Sequence, residues 1–232
     1  MGKPSLLNFI RTARWPFALL RVVSRLGGLF RRRRDGDAAA FAAFDAGNGN
    51  RPINGQGLPP VAELPFGRYP MSYNGCEVIA AYNVLSLLGK RAPLGALAER
   101  FACRGMLLGG LFGTDPGALV TLLREQGWQV RLWKGKEARQ FDKALASADA
   151  AVFSYWTGRS LRRGNGRWHT VHTVAVTREE GNIALYNESS RSPRPNRSHD
   201  SLDEFIRERD VLPLLLITVK CSSPVKEAAA KA

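Results

Sequence analysis

The chain has 232 residues, 44% of them hydrophobic, which suits one domain of ordinary size with additional segments. Its formal net charge is +14, from 34 Lys and Arg against 20 Asp and Glu. Three cysteines without a CxxC pair argue against a disulfide framework and a four-cysteine zinc site. No metal or cofactor is predicted. Free thiols favour a reducing compartment, so a cytoplasmic location is expected.

Much of the positive charge lies in residues 1–34, which carry nine basic residues and no acidic one. Arginines interrupt the apolar runs of this segment, so no transmembrane span is predicted. Two interpretations stay open. One is a basic amphipathic helix on an anionic membrane surface or a protein partner, which would make the protein peripheral to the membrane. The other is a solvated tail that binds any polyanion. No module for specific nucleic-acid recognition is present.

Residues 35–60 are predicted to be a flexible linker. The stretch is rich in Gly, Asn and Pro and has too little periodic apolar content to pack. The folded domain is therefore expected over residues 61–222, followed by a polar tail at residues 223–232.

The order of elements in that domain predicts an α+β fold. Helices come first: one from Cys76 to Gly89, one over residues 91–105, and one capped by Thr114 that ends at Gly127. A strand-rich part follows, with short helices over residues 141–146 and 201–209. The strands are predicted at residues 128–135, 150–156, 168–176, 183–186 and 212–219. Helices followed by a largely antiparallel sheet are typical of the α+β class.

Cys76 stands where the first helix begins. At that position the positive end of the helix dipole is expected to favour a thiolate, and the first-turn amides can hold a developing oxyanion. The neighbouring Glu77 would oppose thiolate formation unless it faces solvent or caps the helix.

A cysteine nucleophile needs a base, and the chain has three histidines. His199 lies in a polar stretch that is predicted to be an exposed loop. His169 and His172 share one predicted strand and are three residues apart, so they point to opposite faces. His172 is favoured as the base because it is in phase with Val174 and Val176. His169 remains the alternative.

The group that would orient the imidazole is predicted to be Asn187. It follows His172 by fifteen residues, across a hairpin, and should end the strand beside the one that carries the histidine. Its carboxamide is expected to accept the imidazole hydrogen bond and fix the tautomer.

Four motifs carry a resemblance to a known family: NGCEVIAAYNVLSLLGK, GTDPGALVTLLREQGWQV, HTVAV and YNES. Together they resemble the papain-like cysteine peptidases, and among these the bacterial double-glycine, bacteriocin-processing type. The likeness covers about residues 66–220. It implies a papain-like fold whose nucleophile helix packs on a C-terminal antiparallel sheet. It also implies Cys76 as nucleophile, His172 as base and Asn187 as orienting residue.

The sequence also departs from that family. Its members typically carry Gly-Pro directly after the cysteine and a glutamine upstream that completes the oxyanion hole. Here Glu77 and Val78 follow the cysteine, and Pro70 stands six residues upstream. Asn74 is the candidate for the missing oxyanion donor, because its amide can donate a hydrogen bond.

The expected activity is hydrolysis of a peptide or amide through a thioester on Cys76. Two alternatives stay open. Acyl transfer to an amine would use the same three residues and the same intermediate. A non-catalytic module that docks on a membrane or a partner would keep only the fold. Glu77 and the missing glutamine favour that last alternative, whereas the Cys, His and Asn in order oppose it.

Overall fold

A computed structural model describes residues 35–67, 69–104, 114–157 and 171–221. The predictions for residues 1–34, for the tail at 223–232 and for His169 lie outside the described residues. None of the helices within the described ranges is long and apolar enough to cross a membrane.

Helices dominate the first half of the described chain, and strands dominate the second half. The α-helices are α1 (Asp35–Asn48), α2 (Met71–Asn74), α3 (Cys76–Leu87), α4 (Leu94–Arg104), α5 (Pro116–Glu125), α6 (Phe141–Ala146) and α7 (Leu202–Glu208). The strands are β1 (Pro65–Phe66), β2 (Tyr69–Pro70), β3 (Gln129–Lys134), β4 (Ala150–Trp156), β5 (Val171–Glu179), β6 (Asn182–Tyr186), β7 (Asn196–His199) and β8 (Leu212–Lys220). Short 3-10 helices occupy Val61–Glu63 and Gly135–Gln140.

A six-stranded sheet organises the domain, in the order β3-β8-β4-β5-β6-β7. Every neighbouring pair is antiparallel. The predicted α+β class, with an antiparallel sheet after the helices, is therefore confirmed. The sequence did not predict β7, because its residues NRSH are polar; it forms by pairing with β6 at Ile183 and Leu185.

Helix α3 covers one face of this sheet and contacts β4 and β5. Its residues 77–85 are all buried, so the helix is enclosed on every side rather than lying on a surface. Beneath it lie small and β-branched residues of the sheet, including Val152 and Ala175. Above it packs α4, which in turn carries α1.

The opposite face of the sheet is covered by α6 and α7. Aromatic rings fill this layer: Phe153 of β4 meets Phe141 of α6 and Phe205 of α7 edge to face, with centroids 6.0 and 6.2 Å apart. Val174 and Val176 of β5 point into the same layer. Strand β5 therefore separates two cores, with alternate residues in each.

The prediction of a flexible linker over residues 35–60 is wrong. Residues 35–48 form α1, in which Phe41 and Phe44 are buried. The carboxylate of Asp45 accepts a hydrogen bond from Leu94 N at 2.9 Å, at the start of α4. Two phenylalanines three residues apart share one helix face, and α4 supplies the surface that covers them. Composition alone does not reveal that partner surface.

The second half of the supposed linker is fixed to α3. Ile53 is buried, and its backbone N–H donates to Asn83 Oδ1 at 2.7 Å. Asn83 Nδ2 donates in return to Ile53 O at 2.8 Å. Asn83 is fully buried in α3, so this pair satisfies polar groups that would otherwise be costly in the core.

Candidate active site

Cys76 and His172 line one cavity of about 420 Å³. Cys76 is the first residue of α3, and His172 is the second residue of β5. Because α3 packs along β5, the start of the helix and the start of the strand lie together at one end of β5. Tyr155 of β4 pairs in register with His172, and the two rings meet edge to face at 5.9 Å.

The expectation that the helix start favours a thiolate is wrong. Burial of the sulfur raises the pKa of Cys76 from 9.0 to about 11, and the charge of Glu77 adds to the rise. Hydrogen bonds from the backbone and hydroxyl of Thr173 lower the pKa but do not offset burial. Cys76 is therefore a neutral thiol at pH 7.

Glu77 neither faces solvent nor caps the helix. Only 4% of the residue is exposed. Its Oε2 accepts a hydrogen bond from Thr114 Oγ1 at 2.5 Å, and its buried Oε1 has no hydrogen-bond partner within the described ranges. Burial raises the pKa of Glu77 to about 7. Thr114 is available for this contact because Asp115, not Thr114, caps α5, accepting from Gly117 N at 3.1 Å.

His172 is held as a neutral base. Its Nε2 lies 2.7 Å from the carbonyl oxygen of Asn187. A carbonyl oxygen only accepts, so Nε2 carries the proton and Nδ1 keeps its lone pair. Burial lowers the pKa of His172, while hydrogen bonding to Asn187 and the charge of Glu188 oppose that shift. The imidazole is therefore neutral at pH 7 and able to accept a proton.

Asn187 contacts His172 through a different atom from the one predicted. The sequence predicted the carboxamide, whereas the structure uses the backbone carbonyl. Asn187 directly follows β6 and has φ of 63°, a left-handed conformation that asparagine adopts more readily than most residues. Its carboxamide pairs instead with Gln56: Oδ1 accepts from Gln56 N at 2.9 Å, and Nδ2 donates to Gln56 Oε1 at 3.1 Å.

Gln56 also lines the cavity, although it stands twenty residues before Cys76 in the supposed linker and had no predicted role. It is 5% exposed, and its Nε2 donates to Met71 O at 2.8 Å and to Ser72 O at 3.1 Å. A signal was present in its two flanking glycines. A Cβ on Gly57 would lie 2.8 Å from the carbonyl oxygen of Ser190, so the backbone approaches another segment closely there.

Glu188 is a second cavity residue without a predicted role. Its carboxylate lies 3.6 Å from Arg209 Nη2, and its charge raises the pKa of His172. Its position directly after Asn187 was the only hint in the sequence.

The remaining candidates lie elsewhere. Asn74 is buried at the end of α2 and is not among the residues that line the cavity. The prediction of an exposed loop at His199 is wrong: it lies on β7, is 3% exposed, and its Nε2 is 3.3 Å from Glu208 Oε2. Pairing of β7 with β6 turns this side chain toward Phe205 of α7. Within the described ranges, no group of three or more His, Cys, Asp or Glu residues is arranged to hold a metal ion.

No family model matches this chain, and no curated protein matches it. Among solved structures, it is similar to a crystal structure described as a "putative C39-like peptidase" from Bacillus anthracis. The identity is 15% and the TM-score 0.43, over 73% of this chain and 98% of that one.

Proposed function

We propose that this protein is a papain-like cysteine hydrolase that cleaves a peptide or amide bond through a thioester. Cys76 is the nucleophile and His172 the general base. The observation that supports this most directly is one cavity lined by a thiol and a neutral imidazole, whose Nε2 proton is held by a carbonyl oxygen. That arrangement directs the basic nitrogen, Nδ1, to proton transfer.

The chemistry then runs through a neutral resting pair. Nδ1 of His172 takes the thiol proton as Cys76 Sγ attacks the carbonyl carbon and forms the C–S bond. The same proton passes to the amine as the C–N bond breaks. Water then attacks the thioester with His172 again as base, which releases the acid and restores the thiol. The Asn187 carbonyl stabilises the imidazolium that forms in each half.

A thiol with a pKa of about 11 places unusual weight on the base. This raised pKa disfavours a preformed thiolate–imidazolium pair at neutral pH, and the proposed mechanism therefore couples proton transfer to the attack. The backbone N–H of Cys76 in the first turn of α3 is the proposed oxyanion donor. Gln56 Nε2 already donates to two carbonyl oxygens, so its side chain does not serve as the oxyanion donor in this arrangement.

Two other functions use the same residues. Acyl transfer differs only in that an amine rather than water attacks the thioester. A non-catalytic docking module is favoured by one observation, the raised pKa of Cys76 beside a buried Glu77.

A panel of peptidyl acyloxymethyl ketones with varied side chains tests the proposal. These probes alkylate a cysteine that attacks their carbonyl, and digestion with mass spectrometry reports the labelled residue. Cys76 should be labelled at pH 7.5. Labelling of the His172→Ala variant should be slower by at least about 100-fold, because general-base catalysis is typically worth 10²–10⁴-fold. Glycinamide present during cleavage of a peptide would separate hydrolysis from acyl transfer, because water gives a free acid and glycinamide gives an amide.

The matched control is the double variant Cys103→Ser with Cys221→Ser, which removes the other two thiols. It should be labelled like the natural chain. Labelling spread over all three cysteines, or unaffected by His172→Ala, would favour the docking module instead.

A further inference from the structure

Residues 53–57 join the two halves of the candidate site, and we call them the strap. At one end Ile53 exchanges two hydrogen bonds with Asn83 of α3, at 2.7 and 2.8 Å. At the other, Asn54 Oδ1 accepts from Asn187 N at 2.9 Å, and Gly57 N donates to Ser190 O at 2.8 Å. The strap therefore contacts both the nucleophile helix and the turn beside the histidine.

Gln56 is the strap residue whose side chain spans this gap. Backbone groups at both ends of the side chain fix which atom of its amide is the oxygen and which is the nitrogen. Gln56 N can only donate, so the oxygen of the Asn187 carboxamide faces it, and Asn187 Nδ2 then faces Gln56 Oε1. That leaves Gln56 Nε2 for two carbonyl oxygens, those of Met71 and Ser72. Neither amide can flip without losing these bonds.

The residues that Gln56 binds are themselves connected to the two reacting residues, Cys76 and His172. Met71 O also accepts from Gly75 N at 2.9 Å, in the turn that places Cys76. Asn187 O accepts from His172. A buried side-chain network in which every group is satisfied holds its members in one geometry. Gln56 is thus bonded to the backbone on the thiol side and to the residue that holds the imidazole.

We infer that Gln56 is a positioning residue that sets the thiol and the imidazole relative to each other. This inference rests on the proposed function for its catalytic meaning, and on the hydrogen bonds above for its structural content. Gln56 acts through Met71 and Asn187, and it does not touch the reacting atoms.

The test is Gln56→Leu, which keeps the size of the side chain and removes its amide. The rate of Cys76 labelling by the probes above should fall at least 10-fold. In the Gln56→Leu background, adding His172→Ala should cause little further loss, because the base is already out of register. The matched control is Asn48→Ala. It removes an amide that donates to the hydroxyl of Tyr82 of α3 at 2.7 Å, away from the cavity. It should label like the natural chain.

A second readout needs no activity. The ring nitrogens of three histidines can be followed by NMR after selective ¹⁵N labelling, and His172→Ala assigns the signal. The natural chain should show a neutral His172 with its proton on Nε2, and Gln56→Leu should shift that tautomer signal. Asn187→Gly, which suits the left-handed φ and keeps the carbonyl, should shift it too if Gln56→Leu does not fold.

Unchanged His172 ring signals in both variants would overturn the inference whatever the labelling rates are. Full additivity of Gln56→Leu with His172→Ala would overturn it as well. If the natural chain shows no labelling that depends on His172, the proposed function fails, and the ring signals still decide whether Gln56 positions the imidazole.

Discussion

At the residue scale, Cys76 shows burial outweighing a helix dipole. A dipole at a helix terminus typically contributes 0.3–1 kcal/mol. The rise in the pKa of Cys76 from 9.0 to about 11 corresponds to about 3 kcal/mol against the thiolate. Desolvation and the Glu77 carboxylate therefore decide the charge of the sulfur, and the position of a cysteine at a helix start does not.

Glu77 should make the protein less stable as pH rises. Burial raises its pKa from 4.5 to about 7, so the folded state holds a proton that the unfolded state releases. The contribution of Glu77 to stability is then greatest below about pH 4.5, falls from there to about pH 7, and is lower by about 3 kcal/mol above it. Glu77→Gln keeps the oxygen that accepts from Thr114 and removes the charge. The urea midpoint of this variant should lack that fall between pH 5 and 8.

The matched control for that measurement is Glu63→Gln, at an exposed carboxylate in the 3-10 helix before β1. It should keep the pH dependence of the natural chain. Burial of His172 acts in the opposite sense below about pH 6.5, so the comparison between variants decides. Equal pH dependence of the urea midpoint in the natural chain and in Glu77→Gln would contradict the assignment of Glu77 as a buried acid.

At the element scale, the start of α3 depends on a close approach between Gly75 and Met71 of α2. Gly75 separates α2 from α3, and a Cβ there would lie 2.6 Å from the carbonyl oxygen of Met71. Backbone has to shift to admit a methyl group, and this same carbonyl is bonded to Gln56. The turn thus couples packing to the placement of the nucleophile.

Gly75→Ala should therefore destabilise the protein by about 1–3 kcal/mol, the usual cost of overpacking. Thermal unfolding measures it. Gly47 in α1 is the matched control, since a Cβ there meets nothing within 4 Å. Gly47→Ala should stabilise by about 0.5–1 kcal/mol, because alanine loses less backbone entropy in a helix. Equal effects of the two substitutions would show that the turn relaxes freely.

At the scale of the whole molecule, the folded domain begins before residue 61 and includes residues 35–60. This segment buries Phe41, Phe44 and Ile53 in the core around α3. Each such side chain contributes about 1.5–3 kcal/mol, and a whole domain is stable by only about 5–15 kcal/mol. The segment that looks like a linker therefore supplies a large share of the net stability.

Truncation tests this boundary. A chain of residues 35–232 should unfold at the temperature of the full chain, whereas residues 61–232 should fail to fold cooperatively, as circular dichroism would report.

We also propose that residues 1–34 dock on anionic lipid through their nine basic residues. The full chain, but not residues 35–232, should then sediment with phosphatidylserine vesicles. Equal sedimentation of both chains would contradict this docking, and a folded 61–232 chain would restore the linker interpretation.

The sequence by itself determined the fold class and most elements of the domain. Cys76 at a helix start, the strand that carries His172 and the antiparallel strands after it follow from local periodicity, which needs no knowledge of the tertiary fold. The sequence also set the order of the candidate residues, Cys76, His172 and Asn187.

Tertiary structure alone decided how those residues are held and charged. Burial is a property of the packed chain, so the pKa values of Cys76 and Glu77 could not be read from their neighbours in sequence. The choice of the Asn187 carbonyl over its carboxamide depends on a partner, Gln56, that lies 131 residues away. Hydrogen bonds between such distant segments form only when the chain has folded, and for this reason a stretch composed like a linker became the strap that joins both halves of the site.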